Sequence, residues 1–167
     1  MQITPTPGAG FSTQRHVRRY GFDASLLDEP RAAQVGSDRD FLAMLGAYRS
    51  SGGLARAGEV MDLLDPERGP GVATLARWIV ERSVISIEWQ SQTWLPWFQF
   101  NRAGMTRVRG LAPVLAELTA ACDPWELAHW FVRPNSFLAG CMPVELMRCD
   151  PDAVFDASRV ERFVATA

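Results

Sequence analysis

The chain has 167 residues, of which 47% are hydrophobic and 22% charged, and a net charge of −2. This length and composition predict one globular domain or two small ones with a buried core. The net charge excludes a general electrostatic attraction to nucleic acid or to an anionic membrane. No apolar run approaches the ~20 residues that a membrane-spanning helix needs.

All 17 basic residues are arginines, so each cationic contact would use a planar guanidinium group suited to carboxylate or phosphate. The three cysteines have no metal-ligand spacing, and no apolar region follows the arginines near the N-terminus. We therefore expect reduced thiols in a cytoplasmic protein without a secretory leader.

Residues 1–36 are predicted to form an irregular N-terminal arm, because prolines and glycines interrupt every hydrophobic pattern there. Arg15, Arg18 and Arg19 form a small basic cluster in this arm. A surface arm is the simpler interpretation of the cluster. The alternative is a contact with the DNA backbone, since arginine neutralises phosphates.

Residues 37–100 are predicted to form a helical segment that ends in a β-hairpin. The first helix begins at Ser37, which has Asp40 three residues later in a capping-box pattern, and it ends at Gly52. Two further helices are predicted at residues 57–64 and 72–82, with a Pro- and Gly-rich turn between them.

The hairpin is predicted where the hydrophobic period changes from 3.6 to 2, after residue 84. Its first strand carries Ile85, Ile87 and Trp89 on one face, and its second strand covers residues 93–100. Pro96 lacks an N–H group, which predicts a sheet edge or an irregular strand end at that residue. The aromatic face of the hairpin is expected to pack on helices.

Residues 101–167 are predicted to form a compact helical domain. Asp123, Pro124 and Glu126 form a capping box with proline at the first helical position, which predicts a helix over residues 124–132. A loop and a helix over 111–121 precede it. It is followed by a tight turn at 136–139 between Asn135 and Gly140, a helix that begins at Pro143, and a last helix over 151–164.

No catalytic arrangement is evident, so we expect a binding protein without a cofactor or a metal. The chain has two histidines, His16 in the predicted arm and His129 in an apolar helix. Neither forms a recognisable nucleophile–base pattern with a cysteine. The alternative is an enzyme or small-molecule binder that uses a cavity lined by Trp94, Trp97 and His129.

The order of helix, turn, helix and hairpin over residues 57–100 is that of a winged helix-turn-helix, in which the second helix enters the major groove. Arg77 and Arg82 are expected to point outward from that helix, and Arg68 lies at its approach. The sequence therefore predicts these three arginines as DNA-binding residues. The acidic residues of the same segment favour the alternative of a helical scaffold with a packed wing.

A second candidate surface lies near the end of the chain, where a polar turn precedes a partly apolar terminus. Paired arginines beside an exposed aromatic side chain suit insertion into a cleft of a partner protein. The predicted partner-binding residues are Arg133, Asn135, Arg159, Arg162 and Phe163. The alternative is a frayed last helix with Phe163 folded back.

The run WELAHWFVRPNSFLAGCMPVELMRCDPDAVFDASR resembles the toxin-binding domain of the Xre/MbcA/ParS-like antitoxin family. The upstream WLPWFQFN, with Phe98, Gln99 and Phe100, resembles the strand that precedes this domain, and the likeness covers about half of the chain. The family pattern is a tryptophan-bearing helix, a Pro-Asn turn, a helix that begins with proline, and a final helix. In this sequence the residues of the pattern are Trp130, Pro134, Asn135, Leu138, Gly140, Pro143 and Val154.

The resemblance implies a bacterial type II antitoxin that forms a homodimer. Such proteins neutralise a toxin of the RES class, which consumes NAD, by covering its active site with their C-terminal region. Many also repress their own operon by binding operator DNA through an N-terminal helix-turn-helix. An ordinary DNA-binding domain of that family is not evident in residues 1–64. The remaining alternative is a DNA-binding regulator without a toxin partner.

Overall fold

The structure, a computed structural model, describes the backbone of residues 29–64 and 71–166 and the side chains of residues 38–64 and 71–166. The described part is mainly helical with small antiparallel sheets, as predicted. Its helices are α1 (Glu29–Ala47), α2 (Ala57–Asp62), α3 (Val72–Val80), α4 (Leu111–Leu118), α5 (Pro124–Val132), α6 (Pro143–Leu146) and α7 (Pro151–Thr166). Its strands are β1 (Leu54–Arg56), β2 (Ile87–Trp89), β3 (Gln92–Pro96), β4 (Phe100–Asn101) and β5 (Thr106–Arg107), with single 3-10 turns at Arg49–Ser51, Trp97–Gln99 and Ser136–Leu138.

Strand β3 is the central strand of a three-stranded antiparallel sheet with the order β1-β3-β2. The predicted hairpin of β2 and β3 is present, and Gln90 and Ser91 connect the strands with positive φ angles of 48° and 58°. Two left-handed residues in a row give a connection whose twist matches that of the strands. Pro96 ends β3, but β3 is not an edge strand, because β1 pairs with it on the other side.

The sheet separates two hydrophobic cores, because successive side chains of a strand point to opposite faces. Trp94 packs into the first core and Leu95 into the second. The second core lies against α2 and α3 and contains Ala55, Val60, Leu64, Leu75, Val84, Leu95, Phe100 and Met105. The first core is larger and joins α1 and the hairpin to the C-terminal helices; its buried aromatic residues are Phe41, Tyr48, Phe98, Trp130 and Phe131. Both of the predicted segments, 37–100 and 101–167, therefore contribute to the first core.

Gln99 is fully buried and bonds to both backbone polar groups of Ile85. Its Oε1 accepts the Ile85 N–H at 2.7 Å, and its Nε2 donates to the Ile85 carbonyl at 2.9 Å. The side chain thus replaces the strand pairing that stops at Pro96, where the chain enters a 3-10 turn. Buried backbone groups need such partners, since an unsatisfied one costs free energy.

Helix α4 buries the four predicted residues Leu111, Val114, Leu115 and Leu118, and it lies against α7. The two helices begin close together at Gly110, which has a φ angle of 82°. A Cβ atom at Gly110 would lie 2.6 Å from the Cβ of Pro151. The start of α7 therefore requires glycine at this position, for its conformation and for its lack of a side chain.

Three predictions for the N-terminal half are wrong in detail. Helix α1 begins at Glu29, so neither the helix start at Ser37 nor the irregular chain through residue 36 is correct. Pro30 in the first turn is compatible with this earlier start, because the first helical N–H groups have no partner in any case. The spacing of Phe41, Leu42, Leu45 and Tyr48 predicts an inward stripe, but Leu42 is 66% exposed and Met44 is buried instead. Residues 1–28, including the basic cluster, lie outside the described residues.

None of the helices within the described ranges is long and apolar enough to cross a membrane.

We expect Gln99→Leu to lower the free energy of unfolding by about 2–4 kcal/mol, because the buried N–H and C=O groups of Ile85 lose their partners. Leucine keeps the approximate volume of the side chain, so lost packing contributes little. Urea denaturation measures the change. Gln92→Leu, at an exposed position of β3, is the matched control, and equal stability of the two variants would contradict the role of Gln99.

Candidate partner-binding surface

The C-terminal surface is built on α5, whose N-terminus is capped as predicted. The Asp123 carboxylate accepts the N–H groups of Trp125 and Glu126 at 2.7 and 2.8 Å, and the Glu126 carboxylate accepts the Asp123 N–H at 2.9 Å. This reciprocal capping box fixes where the helix begins. Leu127, Ala128 and Phe131 then bury the helix in the first core.

The Pro-Asn turn connects α5 to α6 and is stabilised by Asn135. The Asn135 side chain accepts the Phe137 N–H at 2.9 Å, and its backbone N–H donates to the Cys141 carbonyl at 3.1 Å. Asparagine favours such local bonds to the backbone. Leu138 is buried against α7, whereas Phe137 is 65% exposed.

Helix α7 is buried in its first half and exposed in its last turns. Val154, Ala157 and Ser158 face the core. Phe163 is 72% exposed and Val164 is 67% exposed. The spacing of Ala153, Ala157, Val160 and Val164 predicts one inward stripe, and for Val164 this prediction is wrong. The end of α7 thus presents apolar side chains outside the core, and Phe163 does not fold back.

The predicted partner-binding residues line two clefts, one on each side of the last turns of α7. Arg133 and Asn135 line the first cleft, of about 330 Å³, together with Trp130 of α5 and Glu161 of α7. The Trp130 Nε1–H donates to the Glu161 carboxylate at 3.2 Å, which ties the two helices together inside this cleft.

Arg159, Arg162 and Phe163 line the second cleft, of about 570 Å³. Arg162 donates to the Glu117 carboxylate of α4 at 2.9 Å, and Arg159 lies 4.0 Å from the Asp156 carboxylate in an exposed ion pair. Exposed pairs of this kind contribute little to stability. Both arginines therefore retain donors for a partner, although Arg162 also connects α7 to α4.

The Cys122 thiol, which lines the first cleft, is not activated as a nucleophile. Burial raises the pKa of the Cys122 thiol, and the carboxylates of Glu126, Glu161 and Asp123 raise it further, while Arg82 opposes the shift. A raised pKa keeps the thiol protonated, and the thiolate is the nucleophile.

His129 is half-buried and lies beside Trp125, with a distance of 6.4 Å between ring centroids. Burial lowers the pKa of His129, and Arg133 lowers it further, against the opposing effect of Asp40 and Asp123. Within residues 38–64 and 71–166, no three His, Cys, Asp or Glu side chains are grouped so that they could hold a metal ion.

A cavity shared by Trp94, Trp97 and His129 is not formed. Trp94 packs on Phe41 in the first core, whereas Trp97 packs on Phe100 in the second core. Trp94 and Trp97 lie on opposite faces of the sheet, because side chains continue to alternate between the two cores from β3 to Trp97. The predicted alternative of a pocket lined by all three residues is therefore wrong.

The three predicted DNA-binding residues differ in where the structure places them. Arg68 lies outside the described residues, and Arg77 is exposed on α3. Arg82 lies beyond the end of α3, at a φ angle of 53°, and its guanidinium donates to the carbonyls of Thr119 and Cys122 at 3.1 and 2.7 Å. A cation there satisfies the carbonyl groups at the end of α4. The expected outward position of Arg82 is therefore wrong.

Sequence reasoning missed Phe137 and the exposed face of α3. Phe137 follows Asn135 by two residues, and the preference of asparagine for turns was the available signal that this segment lies at the surface. The exposed face of α3 carries Val72 and Val80, 48% and 83% exposed. The spacing of Val72, Leu75, Ala76 and Ile79 predicts an inward stripe, but Val72 and Ala76 are exposed. The sequence alone does not reveal that this face is uncovered.

Comparison of the chain with family models, with curated proteins and with solved structures gives no match. The resemblance to the antitoxin family therefore depends on the residues quoted above.

We expect Arg82→Ala to lower the free energy of unfolding by about 1.5–3 kcal/mol, because two charge-assisted hydrogen bonds to half-buried carbonyls are lost. Arg77→Ala removes the same charge from an exposed position and should change stability by less than about 0.5 kcal/mol. Thermal and urea unfolding of the two variants compare these effects. If both variants are as stable as the parent chain, Arg82 has no structural role.

Proposed function

We propose that this chain is an antitoxin-like protein that binds and neutralises a partner toxin enzyme through the surface at the end of α7. The partner in this proposal is an NAD-consuming toxin of the RES class, and the active chain is a cytoplasmic homodimer. The residues that resemble the Xre/MbcA/ParS-like family support the choice of partner. The exposed end of α7 supports the mode of binding.

The single observation that carries the proposal is the exposure of Phe163 in the cleft that Arg159 and Arg162 also line. A phenylalanine that is 72% exposed at the end of a helix leaves most of its apolar area in water. Aromatic and arginine side chains are the residue types that contribute most to protein–protein binding when they enter a pocket. Together they form a narrow apolar tip with cationic sides, suited to a cleft with acidic edges.

The residues that carry the family resemblance have structural roles that support this surface. Asn135 caps the Pro-Asn turn, Gly140 has a φ angle of 85°, and Pro143 is the first residue of α6. Leu138 and Val154 are buried in the first core. The pattern thus specifies how α7 is held, while Phe163 lies outside the pattern and is free to suit a particular partner.

We expect Phe163→Ala to weaken binding to the toxin by about 2 kcal/mol, or roughly 30-fold in Kd, without loss of stability. The candidate toxin is the product of the adjacent gene, co-expressed and co-purified with this chain. Isothermal titration of the separated proteins gives Kd, and growth of cells that express both genes reports neutralisation.

Leu42→Ala is the matched control, because it removes an exposed apolar side chain from α1. If the two variants bind equally well, the end of α7 is not the binding surface. If the neighbouring gene encodes no enzyme and no complex is recovered, the toxin assignment is wrong.

A second candidate function is a DNA-binding regulator of the winged-helix type. The element order α1-β1-α2-α3-β2-β3, with β3 central in the sheet, supports it. In such an arrangement α3 would enter the major groove. The exposed side chains of α3 oppose it, because Arg77 stands among Val72, Ala73, Ala76 and Val80. Apolar contacts of this kind do not neutralise phosphates, so the toxin partner is the better supported function.

The DNA-binding candidate predicts a gel shift with the chain's own promoter that weakens as salt is raised from about 50 to about 200 mM. Arg77→Glu should abolish the shift, whereas Arg49→Glu, which makes the same charge change at an exposed position after α1, should retain it. The absence of a shift at low salt would exclude this function.

A further inference from the structure

A cleft of about 780 Å³ lies where the β4–β5 hairpin meets the start of α7, away from the end of that helix. Three arginines line it: Arg107 of β5, Arg109 in the following loop, and Arg148 just before α7. We call this site the basic cleft. The polar residues Asn101 and Thr106 also line it, and its one acidic lining residue is Asp152.

Two of the arginines are held in place by the fold. The Arg107 guanidinium lies 5.0 Å from the centre of the Trp78 ring and donates to the Ser83 carbonyl at 3.2 Å. Arg148 donates to the Phe100 carbonyl at 3.3 Å, and Phe100 is the cross-strand partner of Arg107. Each of these bonds uses one terminal nitrogen, so the other donors of both guanidinium groups remain for a ligand.

The charge of the basic cleft is not balanced by the described protein groups. None of the three arginines forms an ion pair with a residue in 38–64 or 71–166. The lining carries three positive charges and one negative charge, in a chain whose net charge is −2. Like charges that converge on one cleft repel one another, and an anion between them removes this cost.

We propose that the basic cleft binds a phosphoryl group. Three guanidinium groups from different segments can surround a tetrahedral dianion, whereas a single planar carboxylate engages one fork at a time. The Thr106 hydroxyl and the Asn101 amide of the lining can add neutral donors. The phosphoryl group belongs either to a free phosphate compound or to a nucleic-acid backbone. The proposal does not depend on the toxin-binding function.

The probe that tests the proposal is inorganic pyrophosphate, titrated into the full chain at constant ionic strength. The Nε–H resonances of the arginines in a nitrogen-correlated NMR spectrum report which side chains are engaged. Arg109 is exposed, so Arg109→Glu should leave the fold intact and weaken pyrophosphate binding at least tenfold. Arg49→Glu makes the same charge change outside the cleft and should alter Kd less than about twofold.

Duplex DNA distinguishes the source of the phosphoryl group. In one outcome a short duplex binds, is displaced by pyrophosphate and binds more weakly to Arg109→Glu. This result assigns the cleft to a nucleic-acid backbone. Binding of pyrophosphate without the duplex assigns it to a free phosphate compound. The proposal is overturned if pyrophosphate does not bind, if both variants lose it equally, or if an oligoglutamate peptide binds as tightly as pyrophosphate.

Discussion

The fold depends on the alternation of side chains along β3, the strand on which the two hydrophobic cores meet. Trp94 and Leu95 are neighbours in sequence and belong to different cores. A shift of register by one residue would exchange these faces and place each set of apolar side chains in the core that the other set fills. The paired strands β1 and β2 prevent such a shift on either side. Beyond Pro96 the Gln99 side chain takes over, because it bonds to the same stretch of chain that leads into β2.

The same arrangement explains why the end of α7 remains outside the core. Helix α7 is anchored at its start, where Pro151 contacts Gly110, and along the face that carries Val154 and Ala157. The partner helix α4 ends at Leu118, and Arg162 of α7 pairs with Glu117 near that end. Past this point the side chains of residues 163–166 are exposed. Phe163, which is 72% exposed there, buries little of its apolar area in the core.

The elements with strong local signals were predictable from sequence. The capping box at Asp123 and the spacing of Leu111, Val114, Leu115 and Leu118 specify α5 and α4 without help from the rest of the chain. Strand β1 was not predicted, because its three residues are too short to show a period and form a strand only by pairing with β3. The roles of Gln99 and Arg82 were not predicted, because they too arise only from tertiary contacts. Each depends on a backbone group that is distant in sequence, 14 residues away for Gln99 and at least 37 for Arg82.

The arginines illustrate how far sequence reasoning extends toward function. Every cation of the chain is the same side chain, so composition alone assigns the same chemistry to each. The fold separates them: Arg82 binds carbonyls at the end of α4 on two nitrogens, whereas Arg107 binds a carbonyl on one. The N–H donors that remain unbonded on each guanidinium group then determine which partners it can bind. The sequence could place Arg159 beside an exposed Phe163, because both lie on one helix. It could not bring together Arg107 and Arg148, since the contact of β5 with the start of α7 is tertiary. The sequence alone therefore predicts candidate sites whose residues lie on one helix or strand. Sites whose residues come from distant segments of the chain require the fold.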